Sequence, residues 1–218
     1  MRKGEIGKQK LVDAAARLLQ RQGYSATGLS QIVEESGAPR GSLYFYFPGG
    51  KEELACAALE AAGAAWKDRL RAVIDAAPDP ARAVVAVCDA LAGDLIESGF
   101  EDGCPLATVG LEASSSSRAV RRTVAAHYES WIALVRDRWI ALGVEPESAA
   151  RAATFTLSAI EGALLLAKVR RDVAPLREAG AFLAALVPRS PSRAARSSRQ
   201  TALRTGPETR RQTSRRPT

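Results

Sequence analysis

Between Lys51 and Val187 the apolar residues recur every three or four positions, and only clusters of Pro, Gly or Ser interrupt them. Side chains spaced this way share one face of an α-helix, whereas a half-buried strand needs strict alternation. Lys51–Ala77 therefore places Leu54, Ala58, Leu59, Ala62, Trp66, Leu70, Val73 and Ile74 on one side. After Pro78 and Pro80, Ala81–Ser98 continues with Val84, Val87, Cys88, Leu91 and Leu95. Pro105–Ala113 reads as a short helix, and Ser114–Ser117 as a loop. A helix of about 25 residues then runs to Gly143, aligning Val120, Val124, Tyr128, Trp131, Val135, Trp139 and Leu142. Pro146 opens another to about Arg171, and Ala174–Val187 forms the last. Nothing here reads as strand. The composition agrees: 46% of residues are apolar, alanine is abundant and aromatics are only 6%. Alanine costs least in a helix, and β-branched runs are scarce.

The first fifty residues are punctuated more tightly. Leu11, Ala14, Ala15, Leu18 and Leu19 line one face of a helix over Lys8–Gln22, which Gly23 ends. Thr27 is placed to cap a second helix from Gly28 to Glu35 or Ser36, with Leu29, Ile32 and Val33 inward. Gly37 breaks it, Pro39 suits the first turn of a third, and Pro48-Gly49-Gly50 stops that one at about Tyr46. Two short helices joined by a glycine-containing turn, behind a longer packing helix, outline a helix-turn-helix unit. The expected architecture is all-α with about nine helices. Residues 1–50 form the helix-turn-helix domain, 51–187 a second helical domain, and 188–218 an Arg-rich disordered tail.

Charge is distributed unevenly. Residues 1–51 carry eight Lys/Arg against four Asp/Glu, residues 52–187 fourteen against nineteen, and residues 188–218 nine against one. A polyanion is thus expected at the two ends and not at the middle. No apolar run approaches the roughly 18 residues of a membrane span, and the charged N-terminus lacks a signal-peptide core, so a cytoplasmic protein is expected. Cys56, Cys88 and Cys104 are scattered and odd in number, consistent with reduced thiols. No nucleophile motif, phosphate-cradling loop or metal-spaced cluster accompanies the lone His127, which reads as a surface or satisfied histidine. Neither enzyme nor cofactor is expected.

The aromatic run Tyr44-Phe45-Tyr46-Phe47 is what this chain offers a ligand. Leu43 and Phe47, four apart, point back at the first helix, leaving Tyr44 and Tyr46 to reach phosphate oxygens and Phe45 to lie on sugar or a thymine methyl. Gly41 and Ser42 are small enough to let the backbone approach base edges, and Arg40 can pair with guanine through two hydrogen bonds.

With these residues in place, "GYSATGLSQIVEESGAPRGSLYFYFPGGKEELA" resembles the DNA-binding domain of the TetR family of bacterial repressors over roughly residues 8–56. Together with "GCPLATVGLEA", it is similar to the multidrug-responsive LmrA/YxaF branch. The resemblance implies that Thr27 contacts phosphate, that Arg40, Gly41, Ser42 and Tyr44 face bases or the groove wall, and that Tyr46 and Lys51 hold phosphates. Tyr46 stands where the family usually has histidine, and Gly49-Gly50 makes the link to Lys51 one residue longer. The DNA-facing set is Thr27, Gln31, Pro39, Arg40, Gly41, Ser42, Tyr44, Phe45, Tyr46 and Lys51.

The resemblance further implies an apolar effector cavity among the middle helices, with Trp66, Cys104, Val109, Tyr128, Trp131 and Phe155 as lining candidates. Ordinary core packing is the competing reading for these rings. Cys104, ahead of Pro105 at a helix start, is either a packing thiol or one with a lowered pKa. Leu157, Ile160, Leu164, Phe182, Leu183 and Leu186 are expected to pair with a second copy in a four-helix interface, helped by Gly162, Ala163 and Ala167. The expected protein is a homodimer on double-stranded DNA at a palindromic operator, released by a hydrophobic small molecule, with no membrane partner. The alternative is nonspecific DNA binding driven by the basic tail.

Overall fold

The computed structural model describes residues 3–39 and 41–187; the Arg-rich segment 188–218 and Arg40 lie outside the described residues. Nine helices and no strand occur among them. In order these are α1 (Lys3–Ala26), α2 (Leu29–Ser36), α3 (Ser42–Tyr46), α4 (Gly50–Ala76), α5 (Pro80–Glu97), α6 (Pro105–Ala113), α7 (Arg118–Ala141), α8 (Pro146–Arg170) and α9 (Ala174–Leu186).

Local chemistry explains the boundaries. Asp79 accepts from the Arg82 amide at 2.9 Å and caps α5, while Ser117, the last of the serine run, accepts from the Val120 amide at 3.0 Å and caps α7. Glu145 accepts from the amides of Glu147 and Ser148 at 2.9 and 2.7 Å, and these bonds lower its pKa. Gly23 interrupts the regular helix of α1 with φ at +81°, a conformation that glycine adopts without strain.

Two expectations fail in the N-terminal head formed by α1, α2 and α3. Thr27 does not cap α2: Gly28 holds the cap position, and the Thr27 hydroxyl turns back to donate to the Gly23 carbonyl at 2.6 Å. Helix α3 starts at Ser42 and not at Pro39. The Pro39 carbonyl accepts from both the Ser42 amide (2.9 Å) and its hydroxyl (2.6 Å), which places Pro39 ahead of the helix and outside its first turn.

The head packs α2 and α3 on α1, with Leu11, Ala15, Leu19, Ile32, Leu43 and Phe47 nearly free of solvent. Below it, α4 and α7 meet closely at Gly63, where an added Cβ would run into the His127 ring. The Trp131 indole donates to the Gly63 carbonyl at 3.1 Å, and His127 Nε2 lies 3.0 Å from Glu60. His127 is thus a buried, partnered side chain between helices.

Helix α8 departs from the sequence expectation. It holds an 18-residue window of mean hydropathy 1.4, enough by length and composition to cross a membrane. Its apolarity has two directions. Ile160, Ala163, Leu164 and Ala167 face inward, while Phe155, Leu165, Leu166 and Val169 are more than half exposed. Helix α9 repeats this, with Leu176 and Leu183 inside and Phe182 and Leu186 outside.

Candidate nucleic-acid interface and effector cavity

The reading head presents its rings through a helix of five residues. Leu43 and Phe47 anchor it, each about 1% exposed, so that Tyr44 and Phe45 are thrown outward, 64% and 80% exposed. Tyr46 is different from expectation. It is half-buried, its ring edge-on to Phe45 at 5.1 Å, and its hydroxyl lies against Gly4 and Gly7 in the first turns of α1. Pro39 and Gly41 are exposed and Ser42 is half-buried, with open space around the Gly41 backbone.

On the neighbouring elements, Gln31 is exposed and accepts from Gln22 Nε2 at 2.7 Å. Thr27 is only 1% exposed and its hydroxyl is already bonded, so the structure gives it a packing place beneath α2 in place of a bare surface. Lys51, at the start of α4, sits over the Tyr24 ring at 4.5 Å and 3.5 Å from the Ser25 carbonyl. Tyr24 belongs to the motif quoted above but has no place in the DNA-facing set; only the fold shows it carrying the lysine.

The second feature is a cavity of about 370 Å³ lined by α4, α5, α7 and α8, with Asp102, Gly103 and Cys104 of the loop into α6 also on its wall. Trp66, Cys104 and Trp131 line it, as expected from the sequence. The other three candidates do not. Val109 is fully buried in the packing of α6, and Tyr128 stands behind Cys104 with its hydroxyl 3.9 Å from the sulfur. Phe155 points away from the cavity and is 57% exposed. Conversely, Leu157, Ile160 and Leu164, expected at a subunit interface, line the cavity, and Leu183 is buried within its own chain. Of that set only Phe182 and Leu186 face outward; one helix cannot direct both stripes to the same side, and α8 fills its inner stripe against α5 and α7.

Trp139, read in the sequence on the same face as Trp131, also lines the cavity, and lining residues absent from the sequence reading include Arg69, Asp94, Thr156 and Glu161. Only Glu161 left a signal, as the single charge in the apolar stretch "TFTLSAIEGALLLA". Burial and the Glu161 carboxylate push the Cys104 thiol pKa upward, against the lowering that a helix start would bring. Burial likewise raises Tyr128, and Cys88 to about 11. Cys104 is therefore a protonated, packing thiol.

Residues 11–58 match the family described as bacterial regulatory proteins, tetR family, and residues 80–182 match the C-terminal domain of LmrA/YxaF-like transcriptional regulators. The chain belongs to the TetR family. An uncharacterized HTH-type transcriptional regulator of Mycobacterium tuberculosis is 37% identical, over 78% of this chain and 88% of its own. The regulator LmrA of Bacillus subtilis is 34% identical, over 78% and 90%. The TetR-family regulator CifR, solved as a cysteine mutant with 26-bp double-strand operator DNA, superposes with a TM-score of 0.72 at 23% identity, covering 83% of this chain and 96% of that one. As a TetR-family member the protein is a DNA-binding transcriptional regulator and not an enzyme.

Proposed function

We propose that the chain acts as a cytoplasmic, homodimeric repressor that binds a palindromic operator and leaves it when a hydrophobic small molecule fills the cavity. Residues 1–50 would read DNA, and residues 51–187 would hold effector and partner. The observation that carries the reading is the pair Tyr44 and Phe45, bared on a helix whose anchors are fully buried. Such rings find cover against sugar and phosphate, with the Gly41–Ser42 backbone close to the base edges. The exposed stripes of α8 and α9, with Phe155, Leu166, Val169, Phe182 and Leu186, are the kind of surface that pairs two-fold into a four-helix interface. Two copies of α3 would then enter major grooves about 34–36 Å apart.

The link between cavity and head has named residues. Arg21 of α1 holds Asp102 at the cavity end at 3.3 Å, and Glu112 of α6 accepts from the Ser25 amide at 2.7 Å while filling the space beside Gly23. A ligand that shifts the loop into α6 would thereby tilt α1. Typical coupling of this kind is about 1–3 kcal/mol. Gel shift and footprinting on the DNA flanking its own gene test the reading. A protected palindrome is expected, with affinity falling about tenfold or more in Tyr44→Ala/Phe45→Ala while thermal stability holds. Sequence-independent binding by the intact protein would refute it.

A further inference from the structure

Three carboxylates line the cavity: Asp94, Asp102 and Glu161. Arg69 grips Asp94 with two guanidinium hydrogen bonds, and Arg21 holds Asp102. Glu161 has no cationic partner among the described residues. It meets only the Cys104 thiol and the Tyr128 hydroxyl, and burial raises its pKa although both contacts pull it down. Glu161 is half-buried, and a carboxylate partly withdrawn from water without a counter-charge is costly, so a protein has little reason to keep one in an apolar wall unless something completes it.

A second observation points to a ligand at the same place. Thr156 is 5% exposed, lines the cavity, and its Oγ1 has no hydrogen-bond partner. Buried hydroxyls are seldom left so. A third concerns the aromatic lining. Trp66 and Trp131 lie edge-to-face with ring centroids 6.4 Å apart, and both border the cavity. Indole faces attract cations, most strongly where water is excluded, and Trp66 already carries the Arg69 guanidinium 5.3 Å from its ring centroid.

We propose that the cavity selects a lipophilic cation: an aromatic body bearing an ammonium group, its charge beside Glu161 and a polar substituent toward Thr156. This rests on the reading of the cavity as the effector site and narrows its ligand class. An anion would face Glu161 with the one cavity guanidinium already committed to Asp94. A neutral apolar body would dry Glu161 further and leave it unpaired. An ammonium group supplies the missing charge and donors together.

Titration calorimetry of the full chain near neutral pH, with 1-naphthylmethylammonium, 1-naphthylmethanol and 1-naphthoate, tests this on one ring system carrying three charges. The ammonium compound is expected to bind about tenfold or more tighter than the alcohol, with the carboxylate weakest. In Glu161→Gln the ammonium-to-alcohol ratio should fall to about one, because the charge that favours the ammonium group over the alcohol is gone. If the alcohol or carboxylate matches the ammonium in the wild type, the cation proposal fails and the effector cavity stands. Should the preference survive in Glu161→Gln, the cation binds elsewhere and the proposal also fails. If none of the three binds, the effector reading falls with it. The wild-type series decides even where the variant does not fold.

Discussion

Two groups of rings in this molecule meet opposite fates. On α3, Tyr44 and Phe45 stand in water, whereas Trp131 and Trp139, on α7, are each 1% exposed. The residue types are alike, and the difference lies in helix length and spacing. In five residues α3 turns less than one and a half times, so consecutive rings must radiate in different directions. Only Leu43 and Phe47, four apart, can both face α1. On α7 the rings come eight residues apart, from Trp131 to Trp139, and so fall on one stripe directed at α4 and the cavity. A protein that wanted the α3 rings only for packing would spread them out. Crowding them into one short helix guarantees that some remain available to a partner.

That contrast breaks down if stability and DNA reading cannot be separated by mutation. The largest expected effect is on the buried set. Trp131→Ala empties a fully buried site and removes the indole hydrogen bond to the Gly63 carbonyl, so urea unfolding should show a loss of about 3–5 kcal/mol. The folded fraction should keep its operator affinity. Next comes the outer face of α9: Phe182→Asp places a charge in the expected subunit interface, and sedimentation should show a monomer. Operator affinity should then drop by about 100-fold, because one head loses the linked second half-site. On the exposed set, Tyr44→Phe removes one neutral hydroxyl. Gel shifts should register about 0.5–1.5 kcal/mol with no change in melting temperature.

The smallest effect sharpens the comparison within the cavity itself. Burial raises the Glu161 pKa above the ordinary 4.5, so the folded state binds its proton more tightly than the unfolded state does. Stability from this group therefore falls as pH rises from 4.5 toward the folded pKa. Glu161→Gln should melt higher than wild type near pH 7, and the gain should fade below pH 4.5. An equal gain at all pH values would mean that the carboxyl is not strained by burial.

Most of the fold was legible before any coordinates. The ends of α4 to α9 and the break at Gly23 fall within one or two residues of the positions that the Pro, Gly, Ser and apolar pattern marks. Such signals are local, because they concern which backbone groups find partners within a turn. The start of α3 was not legible, since Pro39 is compatible with both a first helical turn and the preceding loop. Tyr46 was misplaced because nothing local says that the first turns of α1, at Gly4 and Gly7, lie over it.

The cavity and the outer faces show the limit more sharply. Helix α8 is apolar on both sides, and a periodic pattern cannot say which stripe meets its own chain. Phe155 and Ile160 were accordingly exchanged in role, one outside and the other lining the cavity.

The amino-acid order alone determined that this chain is helical, where its helices stop, and that a crowded aromatic turn follows a glycine-broken pair of helices. Each of those follows from interactions within a few residues. Only the tertiary structure decided which rings are bare, which cavity carboxylate lacks a cation among the described residues, and which face of α8 looks outward. Those depend on contacts between segments far apart in the chain, such as Gly63 with Trp131 or Arg69 with Asp94. No short-range pattern encodes such pairings, because the free energy that selects them belongs to the packed whole.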